Sequence, residues 1–453
     1  MSVTRTHFTT RLGVIAATVG SAVGLGNIWR FPYEAGTHGG GAFLLVDLFF
    51  IFIIGIPVMC AEFVIGRHTG SNIRGAFRKL APGKSWGYVS FIGITASLLI
   101  LSFYSVVAGW TMRYTFASLC GFGTDVTPEG LHREFEEFSA NPMASVGWTI
   151  VFLLLNYFIL ARGIRNGIEK ISNILMPVLF LILIGCTINS LMMPAAAEGV
   201  SFLLKPDFSE ITPEVVLSAM GQAFFTLSLG LGCLITYSSY FPANTPLVRT
   251  SFTIAALDTL VAVLAGLIIF PAVFTFGQEP AAGPRLVFEV LPSIFSHIAG
   301  GMIWSTIFFF LLLIASLTST ISMAEITIAY QNEEFGISRR QATTNTIAFA
   351  MVMGSLCALS FGPLHHLTVG SLRIFDLFDF VSSNILLPAG GMIISLFVGW
   401  ILDRAVLRSE LSTGRRNGVL NRTLVSCIVF SLRWLAPACI ALVFLAGLGL
   451  FDS

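Results

Sequence analysis

Charged residues are scarce in this sequence. Of its 453 residues only 11% are charged and 55% are hydrophobic, with a mean hydropathy of +0.85. Soluble domains carry about 25% charged residues, so a soluble globular protein is excluded. Windows such as 44–58 and 303–314 are almost free of charge, and about 20 apolar residues suffice to cross a bilayer. The sequence therefore predicts an all-α polytopic membrane protein.

Motifs of several other functional classes are missing. The seven cysteines form no CxxC pair and fall mostly within apolar segments, so we interpret them as small core residues. The sequence contains no HExxH, GxSxG or paired-histidine ligand set, and this argues against an enzyme. It offers no filter or charged ring of the kind that channels use. No stretch suggests nucleic-acid binding.

Apolar windows of sufficient length predict eleven spans, at 11–35, 41–66, 88–119, 143–161, 168–193, 213–239, 247–276, 299–331, 341–360, 372–401 and 424–450. Segment 1–10 is short and polar, so we expect no signal peptide. With the N-terminus inside, 18 of the 25 Lys and Arg fall in inner segments and 3 in outer loops. The positive-inside rule then predicts a cell-membrane protein with a cytoplasmic N-terminus and an extracellular C-terminus.

Two of these spans contain glycine-rich polar sequence near mid-membrane. The first holds "AVGLGNIWRFP", residues 22–32, and the sixth holds "FFTLSLGLG" with Gly230 and Gly232. Five spans separate the two breaks, so spans 1–5 and 6–10 fit an inverted pair. Glycine-broken helices at matching places of two halves indicate the binding site of a transporter. The alternative is that these glycines only let helices pack closely.

A broken helix leaves backbone groups that lipid does not satisfy. Freed carbonyls suit a small cation such as sodium, and half-helix N-termini suit a carboxylate. An amino-acid zwitterion bound together with sodium would satisfy both.

Five stretches, "RLGVIAATVGSAVGLGNIWRFP", "GGGAFLLVDLFF", "GIPVMCAEFVIGR", "FFTLSLGLG" and "SLTSTISMAE", together resemble the neurotransmitter:sodium symporter family. The resemblance implies a LeuT-like fold with a 5+5 inverted repeat, in which spans 1 and 6 are unwound at mid-membrane. It divides the chain into a cytoplasmic segment 1–10, a first repeat 11–193, a second repeat 194–402, and a cytoplasmic loop with span 11 at 403–453. Most members have twelve spans, whereas this sequence predicts eleven.

The resemblance also implies two bound sodium ions. The first site would use the Ala22 carbonyl, Asn27, Thr226, Asp258 and the substrate carboxylate. The second would use the carbonyls of Gly20, Val23 and Ala315 with the hydroxyls of Thr318 and Ser319. The family has Asn where Asp258 stands, so this chain adds a charge. The alternative for Thr318 and Ser319 is a hydrogen bond back to their own helix.

Three further polar residues are expected within spans. Intramembrane carboxylates are functional candidates by default. Asp47 replaces a Tyr that lines the chloride site of chloride-dependent members beside Gln222, so we interpret it as a chloride-substituting carboxylate. The alternative is that Asp47 pairs with a basic residue. By resemblance, Glu62 braces the unwound backbone of spans 1 and 6.

By resemblance, one set of residues forms the substrate pocket: Ala22, Leu25, Gly26, Ile100, Tyr104, Phe225, Thr226, Ser228, Leu231, Ser319 and Met323. Tyr104 would bond the substrate carboxylate. Amine-transporting members have an Asp where this chain has Gly24, so a substrate that brings its own carboxylate is expected. Leu231 and Met323 replace Phe and Ile of a leucine-selective relative. Leu opens room and Met adapts its shape, which predicts large hydrophobic amino acids, aromatic ones included.

Gates and a hinge complete the expectations from resemblance. Arg30 and Asp379 would close the outer path over Phe225 and Tyr104. Arg5 and Glu333, with Tyr240 between them, would form the inner latch. Weak exposed ion pairs suit a gate that opens in every cycle. In "GIEKISNILMP", Gly167 and Pro177 are nine residues apart and would form a hinge in span 5, with a fixed proline kink as the alternative.

The sequence thus predicts a chloride-independent, sodium-coupled symporter that imports hydrophobic aliphatic and aromatic L-amino acids by alternating access. Its partners would be the amino-acid substrate and the lipid bilayer, with no nucleic acid, and no particular oligomeric state is predicted. The rival is a transporter-like sensor that binds an amino acid without transporting it.

Overall fold

The computed structural model describes residues 6–121, 128–277, 286–297, 300–412 and 419–450. These residues are almost entirely helical. Their only sheet is a short antiparallel hairpin that pairs Thr368–Val369 with Leu372–Arg373. The hairpin directly precedes the tenth span. The all-α prediction is therefore confirmed.

The helices of the spans, numbered in chain order, have the bounds Arg11–Ala22 with Gly26–Thr37 (span 1), Gly41–Thr69 (2), Ser85–Leu119 (3), Pro142–Leu160 (4), Ile164–Leu191 (5), Pro213–Thr226 with Cys233–Ser238 (6), Leu247–Thr275 (7), Gly301–Glu334 (8), Arg339–Leu359 (9), Ile374–Ile401 (10) and Thr423–Gly447 (11). Shorter helices outside them are Ile73–Leu80, Pro128–Ala140, Ala196–Leu204, Val287–Ser296 and Arg404–Leu411.

Nine continuous helices in the described residues are long and apolar enough to cross a membrane, and the bent pair of span 1 makes a tenth. The sixth predicted span is divided into helices of 14 and 6 residues. Neither piece alone is long enough to cross a bilayer, which takes about 20 residues. Ten helical segments of the described chain are therefore long and apolar enough to cross, and the eleventh crossing stays a prediction.

The two predicted breaks are present. In span 1 the helix stops at Ala22, Val23 is extended (φ −67°, ψ 115°), and the chain bends by 54° before helix resumes at Gly26. In span 6 the break lies between Thr226 and Cys233, where Gly230 and Gly232 have φ of +84° and +77°. A residue with a side chain pays about 1–2 kcal/mol for this left-handed backbone. Glycine avoids that cost, which explains the glycines in the break of span 6; no glycine in the break of span 1 has positive φ.

Span 8 is the centre of the bundle. It packs against spans 1, 3, 5, 6 and 9, and 83% of its most apolar window is buried inside the protein. Span 11 packs against spans 6 and 10, and only 28% of its window is buried. The broken spans 1 and 6 are therefore enclosed by protein, where irregular backbone is tolerated.

The predicted hinge lies at the start of span 5. Ile164–Glu169 forms a wide helical turn, and Pro177 lies inside the helix Lys170–Leu191. Gly167 approaches span 4 so closely that a Cβ would lie 2.2 Å from the Ile159 carbonyl oxygen. The span is helical through both residues, and its unwinding stays a prediction.

Candidate substrate and sodium site

Side chains of neighbouring spans hold the break of span 1 in place. The Leu25 amide donates to the Tyr104 hydroxyl at 2.8 Å, and the Ser319 hydroxyl donates to the Val23 carbonyl at 3.1 Å. Tyr104 belongs to span 3 and Ser319 to span 8. The unwound backbone is thus satisfied by side chains, as a break in a membrane requires.

Glu62 performs the same task for the break of span 6. This carboxylate is fully buried and accepts a hydrogen bond from the Gly230 amide at 2.8 Å. The Ser228 hydroxyl donates to the Ser21 carbonyl at 3.1 Å, which joins the two breaks. Ser228 is the one non-glycine residue of the described chain with positive φ, at 53°. The geometry is that of a brace between spans 2, 6 and 1.

The side chains predicted for the first sodium site form one buried cluster. The Asn27 amide nitrogen donates to the Thr226 hydroxyl at 2.9 Å and to Asp258 Oδ1 at 2.8 Å. Thr226 donates to Asp258 Oδ2 at 2.9 Å, and Asn27 Oδ1 accepts from the Gly24 amide at 3.0 Å. All the partners of the Asp258 carboxylate are neutral, and a buried carboxylate is costly without a cation. The donor set therefore fits a sodium ion.

The residues predicted for the second sodium site meet where span 1 crosses span 8. A Cβ on Gly20 would lie 3.1 Å from the Thr318 Cβ, which shows how closely the spans approach. The Thr318 hydroxyl donates back to the carbonyls of Ile314 and Ala315, at 3.2 and 3.1 Å. Ser319 instead bonds across to Val23. The alternative interpretation therefore describes Thr318 in this structure but not Ser319.

A small cavity of about 30 Å³ lies between the two breaks. It is lined by ten of the eleven residues predicted for the pocket, namely Ala22, Gly26, Ile100, Tyr104, Phe225, Thr226, Ser228, Leu231, Ser319 and Met323. The eleventh, Leu25, lines the outer cavity instead. Gly24 and Leu387 complete the lining. Leu387, on span 10, carries no signal in the sequence that separates it from other apolar residues.

An outer cavity of about 310 Å³ lies directly above, and Tyr104, Phe225 and Gly26 line both cavities. The Arg30 guanidinium lies over the Phe225 ring at 4.4 Å, and its Nε is 3.7 Å from Glu34 Oε1. Asp379 lines the same cavity and accepts from Ser383 at 2.8 Å. Arg30 and Asp379 face one vestibule without a direct ion pair, and Glu34 is a partner that sequence reasoning missed.

The opposite end of the site has a polar network that includes Glu325, a residue absent from the predicted latch. The Tyr240 hydroxyl donates to Glu325 Oε1 at 2.8 Å, and Arg339 binds both oxygens of Glu325 at 2.9 and 2.6 Å. Glu333 accepts a hydrogen bond from the Asn72 backbone nitrogen at 2.8 Å. Arg5 lies outside the described residues, so its pairing with Glu333 stays a prediction. Sequence reasoning missed Glu325, although an intramembrane carboxylate is itself a signal.

Asp47 is 2% exposed, and its Oδ1 makes no hydrogen bond with the described residues. The same holds for both amide atoms of Gln222, on the helix Pro213–Thr226 that packs against Gly41–Phe50. Asp47 forms no ion pair with a described basic residue, so the alternative of a simple salt bridge is not observed. Buried polar groups without partners cost about 1–3 kcal/mol each, which suits a place where charge changes during function.

Comparisons with known proteins agree with this geometry. The family model "Sodium:neurotransmitter symporter family" matches residues 5–123 and 131–452. The uncharacterized sodium-dependent transporter YhdH of Bacillus subtilis (strain 168) is 38% identical over 446 residues, which are 98% of each chain. The sodium- and chloride-dependent GABA transporter 2 of Mus musculus is 26% identical, over 88% of this chain and 73% of its own.

Among solved structures, MhsT in complex with L-phenylalanine superposes with a TM-score of 0.89 at 45% identity, over 98% of this chain and 100% of that one. This match confirms the LeuT-like fold that the sequence predicts. The site contains the two unwound helices of that fold, with carbonyl, hydroxyl and carboxylate oxygens turned toward them. The chain is a multi-pass membrane transporter, not an enzyme, and belongs to the sodium:neurotransmitter symporter family.

Proposed function

We propose that the protein imports hydrophobic L-amino acids, both aliphatic and aromatic, with sodium and without chloride. The apolar wall of the inner cavity carries this proposal. Ile100, Leu231 and Met323 line one side of it, and no acidic side chain does. A Cβ on Gly24 would lie 2.7 Å from both the Ser319 and the Tyr104 hydroxyl oxygens, which leaves no room for a carboxylate there. The substrate must therefore bring its own.

A substrate carboxylate would meet hydrogen-bonding groups of the protein and, once sodium is bound, a cation. The Tyr104 hydroxyl and the amide of Leu25 meet at the break of span 1, beside the cluster of Asn27, Thr226 and Asp258. Sodium bound at that cluster would bridge Asp258 and the substrate carboxylate. The neighbour MhsT, solved with L-phenylalanine, supports a zwitterionic hydrophobic substrate.

Two sodium ions are part of the proposal. The first site contains the Asp258 carboxylate, whereas the second consists of the carbonyls of Gly20, Val23 and Ala315 and two hydroxyls. Chloride independence rests on Asp47, a buried carboxylate whose Oδ1 has no hydrogen-bond partner among the described residues. Its negative charge would replace that of chloride while sodium is bound.

Alternating access would use the two ends of the broken spans. Phe225 and Tyr104 separate the substrate cavity from the outer vestibule. At the inner end, the Phe8 amide donates to the Tyr240 carbonyl at 2.9 Å, beside the ion pair of Glu325 and Arg339. We assign the inner end to the cytoplasm from the excess of Lys and Arg on that side, and the repeats to 11–193 and 194–402.

Binding of tritiated tryptophan to the purified protein tests the substrate class. Sodium should be required, sodium gluconate should replace sodium chloride without loss, and leucine and phenylalanine should compete. Tryptamine is the matched control, since it is tryptophan without the carboxylate, and it should not compete. Competition by tryptamine at concentrations equal to those of leucine, or a requirement for chloride, would contradict the proposal.

A further inference from the structure

A groove of about 240 Å³ lies far from the substrate site, between the helix Arg404–Leu411 and span 11. We name it the arginine groove, for its lining residues Arg404, Arg408 and Arg433. Phe430 and Trp434 form its other wall. The helix Arg404–Leu411 directly follows span 10 and packs against spans 2 and 7, so the groove lies at the membrane surface that we assign to the cytoplasm.

The groove has positive charge that the described part of the chain does not neutralise. Arg404 and Arg408 are one helical turn apart and exposed, and neither guanidinium has a hydrogen bond or ion pair with the described residues. The carboxylates of the same helix are engaged elsewhere. Glu410 binds Arg67 of span 2, and Asp403 accepts from the Ala405 amide at 2.8 Å as the helix cap.

The third arginine is held in place. Arg433 Nε donates to the Gly399 carbonyl at 2.5 Å, and its guanidinium lies over the Trp400 ring at 5.0 Å. Trp400 and Trp434 pack edge to face with centroids 5.1 Å apart. Tryptophan is enriched at the membrane–water interface, so this pair marks the depth of the groove.

The other wall is apolar and faces outward. Phe430 and Trp434 are 56% and 57% exposed, on a span whose sides are mostly not covered by protein. The groove therefore combines a cationic end at the membrane surface with an aromatic wall that continues into the lipid. A soluble anion would use only the first of these features, whereas a phospholipid would use both.

We propose that the arginine groove binds an anionic phospholipid. Its phosphodiester contacts Arg404 and Arg408, and an acyl chain follows Phe430 and Trp434. Arginine guanidinium groups pair well with phosphate oxygens, and basic pockets between spans on the cytoplasmic side recognise such headgroups. The bound lipid neutralises the exposed charge next to span 11. This inference is independent of the transported substrate.

Quenching of tryptophan fluorescence by brominated lipids tests the proposal. The full chain is reconstituted in phosphatidylcholine vesicles, with dibrominated phosphatidylglycerol or dibrominated phosphatidylcholine added at increasing fractions. The signal of the groove is the part of the quenching that is lost in W400F/W434F. Phosphatidylglycerol should quench this part at lower fractions than phosphatidylcholine. Equal quenching by the two lipids would overturn the proposal.

The variant R404Q/R408Q removes the phosphate contacts. The preference for phosphatidylglycerol should fall by about fivefold for each arginine removed. R162Q/K170Q is the matched control, since it removes two exposed cations at the ends of spans 4 and 5 and should keep the preference. An equal loss in this control would mean that net charge, not the groove, selects the lipid, and would overturn the proposal.

Two further readouts separate the remaining outcomes. Millimolar sn-glycerol 1-phosphate should leave the quenching unchanged, and displacement of the lipid would overturn the proposal in favour of a soluble phosphate. Sodium-dependent tryptophan binding should be unchanged in R404Q/R408Q, which verifies that the variant is folded. A failure of the proposed substrate would leave the lipid preference intact, so the two hypotheses fail separately.

Discussion

Replacing Gly24 with alanine tests how tightly the break of span 1 is enclosed. An alanine Cβ would lie 2.7 Å from the Ser319 Oγ and 2.7 Å from the Tyr104 hydroxyl oxygen. Ordinary contacts begin near 3.4 Å, so each oxygen would have to move by about 0.7 Å. Gly24 does not have positive φ. The backbone therefore accepts alanine, and the effect of G24A is steric.

The displaced hydroxyls are the two that hold the break. Tyr104 accepts from the Leu25 amide at 2.8 Å, and Ser319 donates to the Val23 carbonyl at 3.1 Å. A net hydrogen bond contributes about 0.5–1.5 kcal/mol, so the loss of both amounts to about 1–3 kcal/mol. Tryptophan binding should therefore weaken about 5- to 150-fold in G24A.

The assay is sodium-dependent binding of tritiated tryptophan, with thermal melting of the same samples. G185A is the matched control, because Gly185 lies in span 5 with no atom within 4 Å of an added Cβ. It should bind tryptophan like the parent protein. If G24A retains affinity within a factor of two while melting normally, the substrate does not use this part of the break and the reasoning is refuted.

Four other substitutions test separate parts of the site. E62Q weakens the brace of the span 6 break, since hydrogen bonds to charged groups contribute about 1.5–3 kcal/mol. Tryptophan affinity should fall about tenfold or more, and the melting temperature should drop. An unchanged melting temperature would refute the role of Glu62 as a brace. D47N removes the carboxylate proposed to substitute for chloride, so tryptophan uptake should become faster in sodium chloride than in sodium gluconate. Equal uptake rates in the two salts would contradict that role of Asp47. L231F fills the substrate cavity at a cost of about 1–3 kcal/mol. Competition binding should show a larger loss of affinity for tryptophan than for alanine. An equal loss of affinity for both amino acids would contradict the assignment of Leu231 to the cavity wall. E325Q leaves Arg339 without its carboxylate. Because Arg339 is 25% exposed, the cost should stay below the roughly 3–5 kcal/mol of a fully buried pair, but the melting temperature should fall and cysteine reagents should reach the inner end faster. Labelling at the rate of the parent protein would contradict a latch there.

Much of the architecture follows from short-range patterns. The bounds of the spans could be predicted to within a few residues because apolar length determines where a helix crosses. Both breaks could be predicted because glycine is a weak helix former and stands out in an apolar span. In span 6, Gly230 and Gly232 also allow a backbone that other residues avoid. The positions around Asn27, Thr226 and Asp258 come from the resemblance to a family, and the structure brings these three side chains together.

Other features depend on packing that no local pattern encodes. Leu387 lines the cavity only because span 10 approaches the break of span 6, where a Cβ on Gly230 would lie 2.4 Å from the Leu387 carbonyl. The choice of Glu325 rather than Glu333 as the partner of the Tyr240 hydroxyl depends on the rotation of span 8 about its axis. Both carboxylates lie on one helix, and the sequence alone does not show which faces span 6.

The pairing of Arg30 shows the same limit. From sequence, Arg30 is expected opposite Asp379, whereas in the structure it lies over Phe225 and near Glu34, four residues along its own helix. A nearby partner on the same helix is always within reach. A partner on another span depends on how far the vestibule is open, which is a property of the conformation.

Uptake into liposomes tests the central claim most directly. The purified protein is reconstituted, and accumulation of labelled tryptophan and leucine is followed with an inward sodium gradient and a potassium-clamped inside-negative potential. Two sodium ions with a zwitterion at 100 mV supply about 4.6 kcal/mol, or about three decades of concentration. The account predicts accumulation above the external concentration, lost in potassium and unchanged without chloride. Sodium-dependent binding with neither accumulation nor counterflow would contradict transport and identify a sensor.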